Sequence, residues 1–388
     1  MVNIKYGLIS CDSHAQLDKD AFTSRMSKEK WGDAVPHLED TTKREHMAIP
    51  YDYPVQRWFV NGQMVGNRGV VNCPTVMDDP LRRTFPQRWD QVPRQVYDPV
   101  ERLKALDRDR LDAEVVFPND PIQSTTFFQG DAEFELDCVR AYNDALAEWV
   151  QVSDRYVPLA IIPYLSGIDV TVAEVERAVR LGHRGIVMVG EPHHANKGLK
   201  HFNDPYWHPL WAACEDLEVP VHWHAGAGMS LSVPRWKGYT QTQGQAAGSS
   251  GSFAVQAQLI TNLLFSGLPE MYPRLKWVCA ETGLGWVNYI LEACDHEWER
   301  RHLWTEGRTM RPSELFHRQV HVDFWYESVG VQQRHQVGLD NIMWESDFPH
   351  STSTYPESWR FVDRAMENVP EAERKQLLYG NAMRLYKL

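Results

Sequence analysis

Long apolar runs and an excess of basic residues are both absent from this chain of 388 residues. No stretch approaches the ~18 consecutive apolar residues that a membrane-spanning helix requires. The first residues, MVNIKYGLISCDSH, lack the apolar core of a signal peptide, so we expect a cytoplasmic protein. Lys and Arg number 40 against 52 Asp and Glu, which gives a formal charge of −12. This balance, with no basic amphipathic tract, argues against nucleic acid or a membrane surface as a partner.

Paired cysteines and glycine-rich phosphate loops are missing as well. No glycine-rich loop follows the first predicted strand, which argues against a dinucleotide-binding sheet. The run GQAAGSSG at 244–251 lacks the Gly-Lys-Ser/Thr of a phosphate cradle, so we predict a connector into the following helix. The six cysteines are scattered without a Cys-x-x-Cys pair, which excludes zinc-finger and disulfide-framework classes and is typical of a reducing compartment. They are Cys11, Cys73, Cys138, Cys214, Cys279 and Cys294.

The sequence does contain a regular succession of apolar strands and helical segments. Between the strands lie helical patterns such as 169–182, which ends at a glycine, and 204–218, which begins at an Asp followed by proline. Eight strands that alternate with helices predict the α/β class and a (β/α)8 TIM barrel, as a single domain spanning 1–388. The predicted strands cover residues 6–14, 113–118, 156–164, 184–190, 219–226, 275–281, 319–325 and 341–347.

A barrel of this type needs about 250 residues, and the surplus falls mostly in two insertions. The long insertion after strand one covers about 15–95 and contains Asn61-Gly62 between apolar runs, which predicts a β-hairpin. The loop insertion after strand five covers 226–251. Both follow the carboxyl ends of strands, where barrel active sites form, so we interpret them as a lid and a substrate loop.

Acidic residues and histidines stand at the ends of four predicted strands. Strand one ends in Asp12 and His14, which share a face because they are two residues apart. Strand five ends at His224, strand six at Glu281 and strand eight at Asp347. In a barrel these ends converge at one mouth, where carboxylates and imidazoles arriving from several sides form a divalent-metal site. Zinc in such a site lowers the pKa of bound water to about 7, which supplies a hydroxide nucleophile at neutral pH.

These motifs resemble those of the amidohydrolase superfamily, within it the amidohydrolase-related branch that includes aminocarboxymuconate-semialdehyde decarboxylase. That family begins with Asp/Glu-x-His on strand one, has a metal-binding histidine after strand five and a catalytic Asp after strand eight. The segments PLRRTFPQRWDQVPRQVYDPVERLKALDRDRLDAEVVFPND and WESDFPHSTSTYPES extend the resemblance along nearly the whole chain. It implies a barrel fold and one divalent metal ion (zinc, manganese or iron) bound by Asp12, His14, His224 and Asp347.

One position departs from the family pattern. Many members place a second histidine at the end of strand six, where this chain has Glu281 in CAETGLGW. Glu281 is a candidate metal ligand, substrate contact or general base, and an oxygen-rich site suits manganese or iron as well as zinc. Asp347, which could alternatively cap the next helix, is the predicted catalytic proton carrier. His350 is a further catalytic candidate that would contact the metal ligands or the substrate.

Other polar residues of the strands and loops have simpler explanations. We predict that His222, one layer below the mouth, is a hydrogen-bonded core histidine. His193 and His194 follow strand four and are expected in an exposed loop. His321 and Asp323 alternate on strand seven and are predicted to fill the barrel, with Asp323 kept as an additional candidate for the site.

Aromatic residues suggest a flat substrate and a homo-oligomer. Tyr51 and Trp58 of the first insertion, together with Trp286 after strand six, are predicted substrate contacts, with loop packing as the alternative. We expect a homo-oligomer, either a dimer or a tetramer. Four tryptophans are compatible both with contacts between copies and with core packing, namely Trp207, Trp211, Trp286 and Trp298.

The resemblance implies a metal-dependent hydrolase that cleaves a C–N bond (amide, ring, amino or nitro substituent) of a small cyclic or aromatic compound. The alternative is metal-dependent, non-oxidative decarboxylation of an aromatic or unsaturated carboxylic acid, in which the metal binds the carboxylate and the adjacent hydroxyl. A cationic clamp would suit that carboxylate, and Arg57, Arg68, Arg235 and Lys237 are candidates. A barrel that serves only as a binding protein is a third interpretation, against which the complete ligand set argues.

Overall fold

The computed structural model describes residues 2–43, 52–65, 69–77, 84–121, 131–225, 236–251 and 253–388. The strands in these ranges are β1 Ile9–Ala15, β2 His37–Thr41, β3 Val55–Val60, β4 Gln63–Val65, β5 Ala113–Pro118, β6 Tyr156–Pro158, β7 Ala160–Ile161, β8 Ile186–Val187, β9 Val221–His224, β10 Trp277–Ala280, β11 Val320–Phe324 and β12 Ile342–Trp344. The α-helices are α1 Lys28–Trp31, α2 Arg94–Tyr97, α3 Pro99–Asp109, α4 Ala132–Val152, α5 Ile168–Leu181, α6 Pro192–Ala195, α7 His208–Asp216, α8 Gln241–Ser250, α9 Phe253–Ser266, α10 Leu268–Met271, α11 Val287–Arg300, α12 Pro312–Gln319, α13 Val329–Gln332, α14 Arg334–Val337, α15 Ser358–Ala365, α16 Glu371–Lys375 and α17 Asn381–Tyr386.

Parallel pairing arranges the strands outside the first insertion into a barrel. One sheet has the order β1-β5-β6 and the other has the order β7-β8-β9-β10-β11-β12. The chain itself joins β6 to β7 through Leu159, so these two short strands are the halves of one predicted strand. On the other side, the N–H of His14 donates to the carbonyl of Phe348 at 2.6 Å, and the N–H of Asp347 donates to the carbonyl of Asp12 at 2.9 Å. The predicted (β/α)8 fold is confirmed.

A β-bulge in β1 decides which of its side chains enter the barrel. Ser10 pairs with Glu114 and Ser13 pairs with Val116, so β1 contains one more residue than β5 over this interval. Ile9 and Cys11 therefore pack in the interior cluster, whereas the alternation shifts beyond them so that Asp12 and His14 also face inward. The bulge thus converts an apolar strand into one that presents two polar groups at the mouth.

Helices and aromatic residues cover the outside of the barrel. As predicted, α5 ends at Gly182, which adopts a φ of 109° that favours glycine. Trp207 and Trp211 are fully buried, and Trp211 packs against Trp277 with ring centroids 5.0 Å apart. Core packing therefore accounts for these two tryptophans, which are not available for contacts between copies. Within the described ranges, none of the helices combines the length and the apolar character that a membrane crossing demands.

The two insertions contain a small sheet and a helix in addition to loops. In the first, β2, β3 and β4 form an antiparallel sheet, and the turn between β3 and β4 is Asn61-Gly62 with φ of 49° and 72°. The predicted hairpin is thus confirmed. In the second, the expected connector at 244–251 is wrong, because residues 241–250 form α8. Thr240 caps this helix and exchanges hydrogen bonds with Gln243 in a capping box.

Candidate metal centre

Four predicted ligands from three barrel strands meet at the mouth, and we call Asp12, His14, His224 and Asp347 the ligand cluster. The Nε2 atom of His14 lies 3.4 Å from Asp12 Oδ1 and 3.4 Å from Asp347 Oδ1. The Nε2 atom of His224 lies 3.2 Å from Asp12 Oδ2 and 3.1 Å from Nε2 of His14. Ligand atoms of Asp12, His14 and His224 all lie within 4.8 Å of one another, which is close enough to share one cation.

Backbone carbonyls orient both histidines of the ligand cluster. Nδ1 of His14 is 2.8 Å from the carbonyl oxygen of Pro118, and Nδ1 of His224 is 2.7 Å from that of Ala225. A carbonyl oxygen only accepts, so each Nδ1 must carry the hydrogen. Each imidazole in its neutral form therefore presents an Nε2 lone pair to the cluster, which is the arrangement of a metal-binding histidine.

Asp12 is the strongest sign that the cluster holds a cation. Its side chain is fully buried, and its oxygens face Nε2 of His14 at 3.4 Å and Nε2 of His224 at 3.2 Å. A buried carboxylate is costly unless a cation neutralises it, and here that cation is the imidazolium of His224 or a metal ion that displaces its proton. Two imidazole nitrogens and carboxylate oxygens form a donor set that suits zinc, manganese or iron. The residues present therefore fit a divalent metal ion.

Asp347 belongs to a second, overlapping group of side chains. Its Oδ1 lies 2.8 Å from Nδ1 of His350, and its Oδ2 accepts the hydroxyl hydrogen of Thr352. The rings of His350 and His14 stack with centroids 3.9 Å apart. His14, Asp347 and His350 consequently form another set with cation-binding spacing, in which His350 is the group beyond the ligand cluster.

Glu281 lies at the rim of the ligand cluster. Its Oε2 is 3.5 Å from Nε2 of His224, and its side chain is about one fifth exposed, at 21%. The backbone N–H of Glu281 donates to Oε2 of the buried Glu345 at 3.0 Å. Glu281 and Asp347 both adopt left-handed backbone conformations, with φ of 60° and 58°. Such strain in non-glycine residues is typical of positions that the surrounding structure holds for function.

Burial and mutual charge determine the protonation of these groups. Burial, together with His350, lowers the pKa of His14 to about 4. Burial acts against the imidazolium of His224, but the Asp12 carboxylate outweighs it and raises the pKa of His224 to about 10. Without a metal, His224 therefore holds a proton that a cation would have to displace.

The pKa values of the Glu281 and Asp347 carboxyl groups also shift in opposite directions. Burial and the neighbouring Asp347 carboxylate raise the pKa of Glu281 to about 8. Burial opposes ionisation of Asp347 as well, but His350 overcomes it and holds the pKa of Asp347 well below its usual range. The mouth thus combines a carboxyl group that retains a proton at neutral pH with one that is ionised, which is the division that acid–base chemistry requires.

Two of the three predicted aromatic substrate contacts, Trp58 and Trp286, lie within the described residues. Trp58 is buried in β3, and its indole N–H donates to the carbonyl of Val70 at 2.9 Å, which indicates a packing role within the first insertion. Trp286 donates to the carbonyl of Thr282 at 3.2 Å and lines a cavity of about 570 Å³ beside the loop that follows Glu281. Tyr51 lies outside the described residues.

The cationic clamp candidates do not meet the ligand cluster within the described residues. The guanidinium of Arg57 donates to the carbonyl of Gln56 at 2.6 Å and to the side chain of Gln87 at 2.7 Å. Lys237 lies at the exposed surface. Arg68 and Arg235 lie outside the described residues, so their part in binding a carboxylate stays a prediction.

The remaining polar residues of the strands behave as structural groups. His222 is fully buried, with Nδ1 3.0 Å from the carbonyl of Ile186 and Nε2 2.8 Å from the hydroxyl of Tyr386, as predicted for a core histidine. Asp323 is fully buried beneath the ligand cluster, and neither of its oxygens has a hydrogen-bond donor among the described residues. Burial, with the nearby Asp12 carboxylate, raises the pKa of Asp323 well above its usual value.

Arg102, which no sequence motif indicated, connects two strands that carry ligands. Its guanidinium donates to both carboxylate oxygens of Glu114, at 2.8 and 2.9 Å. It also donates to the carbonyl of His14 at 2.9 Å and to that of Phe348 at 3.4 Å. The only signal in the sequence is an Arg within an amphipathic helix, where a solvated position is the usual expectation.

Comparison with known families identifies the class of this barrel. The amidohydrolase family model matches residues 11–388, a range that includes the whole ligand cluster, Glu281 and His350. The chain belongs to the amidohydrolase family. The resemblance of the strand-end motifs to this family is therefore confirmed, and the chain is an amidohydrolase-family enzyme.

Three known proteins are similar to this chain in sequence or in fold. The chain is 26% identical over 320 residues to the gamma-resorcylate decarboxylase of Rhodococcus jostii, a match that covers 77% of this chain and 91% of that enzyme. An amidohydrolase from Mycobacterium avium subsp. paratuberculosis superposes with a TM-score of 0.77 at 17% identity, covering 99% of this chain and 100% of that one. A dihydroxybenzoic acid decarboxylase from Polaromonas sp. JS666, solved with manganese and 2-nitroresorcinol, gives a TM-score of 0.59 at 20% identity over 77% of this chain and 89% of its own.

These relatives favour one of the two expected reactions. The sequence match to the gamma-resorcylate decarboxylase of Rhodococcus jostii, and a 26% identical match to the decarboxylase orsB of Emericella nidulans, both concern decarboxylases. They support the decarboxylase alternative better than the hydrolysis of C–N bonds that was the first expectation from the sequence. The two solved structures, at such low identity, are evidence for the fold alone.

Proposed function

We propose that this amidohydrolase-family enzyme is a metal-dependent, non-oxidative decarboxylase of a hydroxylated aromatic carboxylic acid. The observation that carries the proposal is the match to gamma-resorcylate decarboxylase, which extends over 91% of that enzyme. The ligand cluster supports it independently, because its buried Asp12 carboxylate and paired Nε2 atoms suit a divalent cation. Asp12, His14, His224 and Asp347 would hold that cation.

The reaction replaces a carboxyl group by hydrogen. The bond between the ring carbon and the carboxyl carbon breaks, carbon dioxide leaves, and the electron pair left on the ring carbon takes a proton. A divalent cation bound by the ligand cluster would act as a Lewis acid that holds the substrate's carboxylate and adjacent hydroxyl. The protein has to supply one proton at the ring carbon and then recover it from solvent.

We assign delivery of this proton to Asp347. Its carboxylate lies at the mouth and is ionised at rest, with Oδ1 2.8 Å from Nδ1 of His350. The imidazolium of His350 would pass its proton to Asp347, Asp347 would deliver that proton to the ring carbon, and His350 would recover a proton from solvent. Thr352, which donates to the other carboxylate oxygen, fixes the orientation of the group. Glu281 lies at the rim of the ligand cluster, and Trp286 lines the cavity beside the loop that follows it. Both are proposed substrate contacts.

The test uses the purified full chain loaded in turn with manganese and zinc, and it measures carbon dioxide release from 2,6-dihydroxybenzoate and other ortho-hydroxybenzoates. In deuterated water the product should carry one deuterium at the carbon that lost the carboxyl group. Asp347→Asn should lower kcat by about 10²- to 10⁴-fold, the usual contribution of a general acid. Asp363→Asn, at an exposed ion pair with Arg374, is the matched control and should retain activity.

The proposal fails if the metal-loaded enzyme releases no carbon dioxide from any member of this panel while it hydrolyses a cyclic amide. The homo-oligomer expected from the sequence stays a prediction, which light scattering of the purified protein would measure. The lid and substrate-loop roles of the two insertions also stay predictions.

A further inference from the structure

A second cavity, of about 430 Å³, lies at the end of the barrel opposite to the ligand cluster. Residues that immediately precede strands line it, including Pro220 before β9, Lys276 before β10 and Asn341 before β12. The ligand cluster, in contrast, stands at the carboxyl ends of the same strands. All residues that line this cavity belong to the described ranges.

The cavity wall has more cations than carboxylates. Its five cationic side chains are Arg274, Lys276, Arg318, Arg384 and Lys387, whereas Glu218 and Asp340 are its acidic ones. Arg274 pairs with Asp216 at 3.1 Å, Arg384 pairs with Asp340 at 2.8 Å, and Lys387 pairs with Glu218. The other two cations have no carboxylate within ion-pair distance anywhere in the described part of the chain.

Those two cations are held by neutral groups. Nζ of Lys276 donates to the carbonyl of Arg318 at 2.6 Å, which leaves two of its three N–H donors unused. The guanidinium of Arg318 donates to the carbonyl of Pro269 at 2.7 Å and to the side chain of Gln319 at 2.8 Å. Two positive charges therefore stand together in a protein whose formal net charge is −12.

His321 in β11 supplies a buried polar atom in the same wall. Its side chain is 7% exposed, and its Nδ1 has no hydrogen-bond partner among the described residues. Burial and the positive charges of Lys276 and Arg384 lower the pKa of His321 to about 3. Burial and the charge of Arg318 also lower the pKa of Lys276. Among the described residues, the unpaired Lys276 and Arg318 and the unpartnered Nδ1 of His321 thus lie in one cavity wall.

We propose that this cavity is a binding site for a small oxyanion, a carboxylate or a phosphate, held by Lys276 and His321 in the field of Arg318 and Arg384. The spare N–H donors of Lys276 would form charge-assisted hydrogen bonds to the anion. The ring of His321 in the cavity wall would lie against the anion. The volume of the cavity accommodates inorganic phosphate or a small organic acid. The proposal does not depend on the reaction at the other end of the barrel.

The experiment is calorimetric titration of the full chain with sodium phosphate and, separately, with sodium acetate, at ionic strength kept constant with sodium chloride. We expect saturable binding of one or both anions, and the stronger binder distinguishes a phosphate site from a carboxylate site. Lys276→Met should weaken binding at least tenfold. Lys375→Met, which removes an exposed ammonium on α16, should bind like the wild type.

Two further variants keep the proposal testable. His321→Gln should also weaken anion binding, and this variant tests the site if Lys276→Met does not fold. His224→Ala removes a ligand-cluster residue and should leave anion binding unchanged. Binding that is lost in His224→Ala would place the anion at the ligand cluster and overturn the proposal. The proposal would also be overturned if neither phosphate nor acetate binds. Equal anion binding by the Lys276→Met and Lys375→Met variants would overturn it as well.

Discussion

Replacement of Arg102 by methionine tests how the barrel holds its metal ligands in place. Arg102 and Glu114 are fully buried and form a two-pronged ion pair. The same guanidinium donates to the carbonyls of His14 and Phe348, the residues whose backbones join β1 to the end of β12. It also lies over the ring of Phe348, with its central carbon 4.2 Å from the ring centroid.

The expected cost follows from the charge that Arg102→Met would leave behind. The Glu114 carboxylate would remain fully buried without its partner, a situation that costs about 3–5 kcal/mol of unfolding free energy. Urea unfolding followed by tryptophan fluorescence measures this loss. Arg94→Met is the matched control, because Arg94 pairs with Asp98 at an exposed position, where an ion pair contributes at most about 1 kcal/mol.

A double variant separates the charge from the positioning role. Arg102→Met combined with Glu114→Leu removes both buried charges, and we expect most of the lost stability to return. Metal affinity should not return, because the carbonyls of His14 and Phe348 still lack their donor, and outer contacts of this kind are worth about 10- to 100-fold in affinity. Competition with a chelator measures that affinity. A double variant with wild-type metal affinity, or an Arg102→Met protein that loses under 1 kcal/mol, would refute this reasoning.

Three further results are expected. Elemental analysis should find about one equivalent of a divalent metal in the wild type and none in His224→Ala, whereas His335→Ala, at an exposed position, should retain it; equal metal in both variants would contradict the assigned ligands. Burial raises the pKa of Asp109 to about 7, so its contribution to stability is fully present below pH ~4 and is lost as the pH rises through 7, by at most about 4 kcal/mol. Asp109→Asn should therefore make the urea unfolding midpoint less dependent on pH between pH 4 and 8. The same pH dependence in the variant and the wild type would show that this carboxyl is ionised in the folded protein. All six cysteines are free and buried, so a thiol reagent should modify none in the native protein and six after denaturation.

Periodicity and composition were sufficient to predict the barrel. Predicted strands of six to nine residues that alternate with amphipathic helices leave few folds other than a (β/α)8 barrel, and the eight predicted strands appear where expected. Local chemistry also predicted the end of α5 at Gly182 and the hairpin at Asn61-Gly62, because both depend on positive φ at residues adjacent in sequence. The predicted connector at 244–251 was wrong because its small residues form a helix once Thr240 caps it.

The order of the predicted strands also allowed the ligand cluster to be predicted from the sequence. Parallel strands bring their carboxyl ends to one mouth, so Asp12, His14, His224 and Asp347 could be grouped from their positions at strand ends. Their metal-binding roles remain predictions, which the expected loss of metal from His224→Ala tests. Substrate contacts were harder to predict, and Trp58 lies in the small sheet of the insertion because packing competes with binding for every aromatic side chain.

The sequence by itself therefore determined the fold class, the mouth and the residues that could gather there, since each of these follows from local periodicity and chain order. Only the tertiary structure decided how those residues are held. The bulge in β1 turns Asp12 and His14 inward. Glu281 and Asp347 occupy the mouth with left-handed backbone conformations. Arg102 joins strands whose ligands are more than 300 residues apart in sequence. Such features arise from contacts between distant segments, and no local pattern records them.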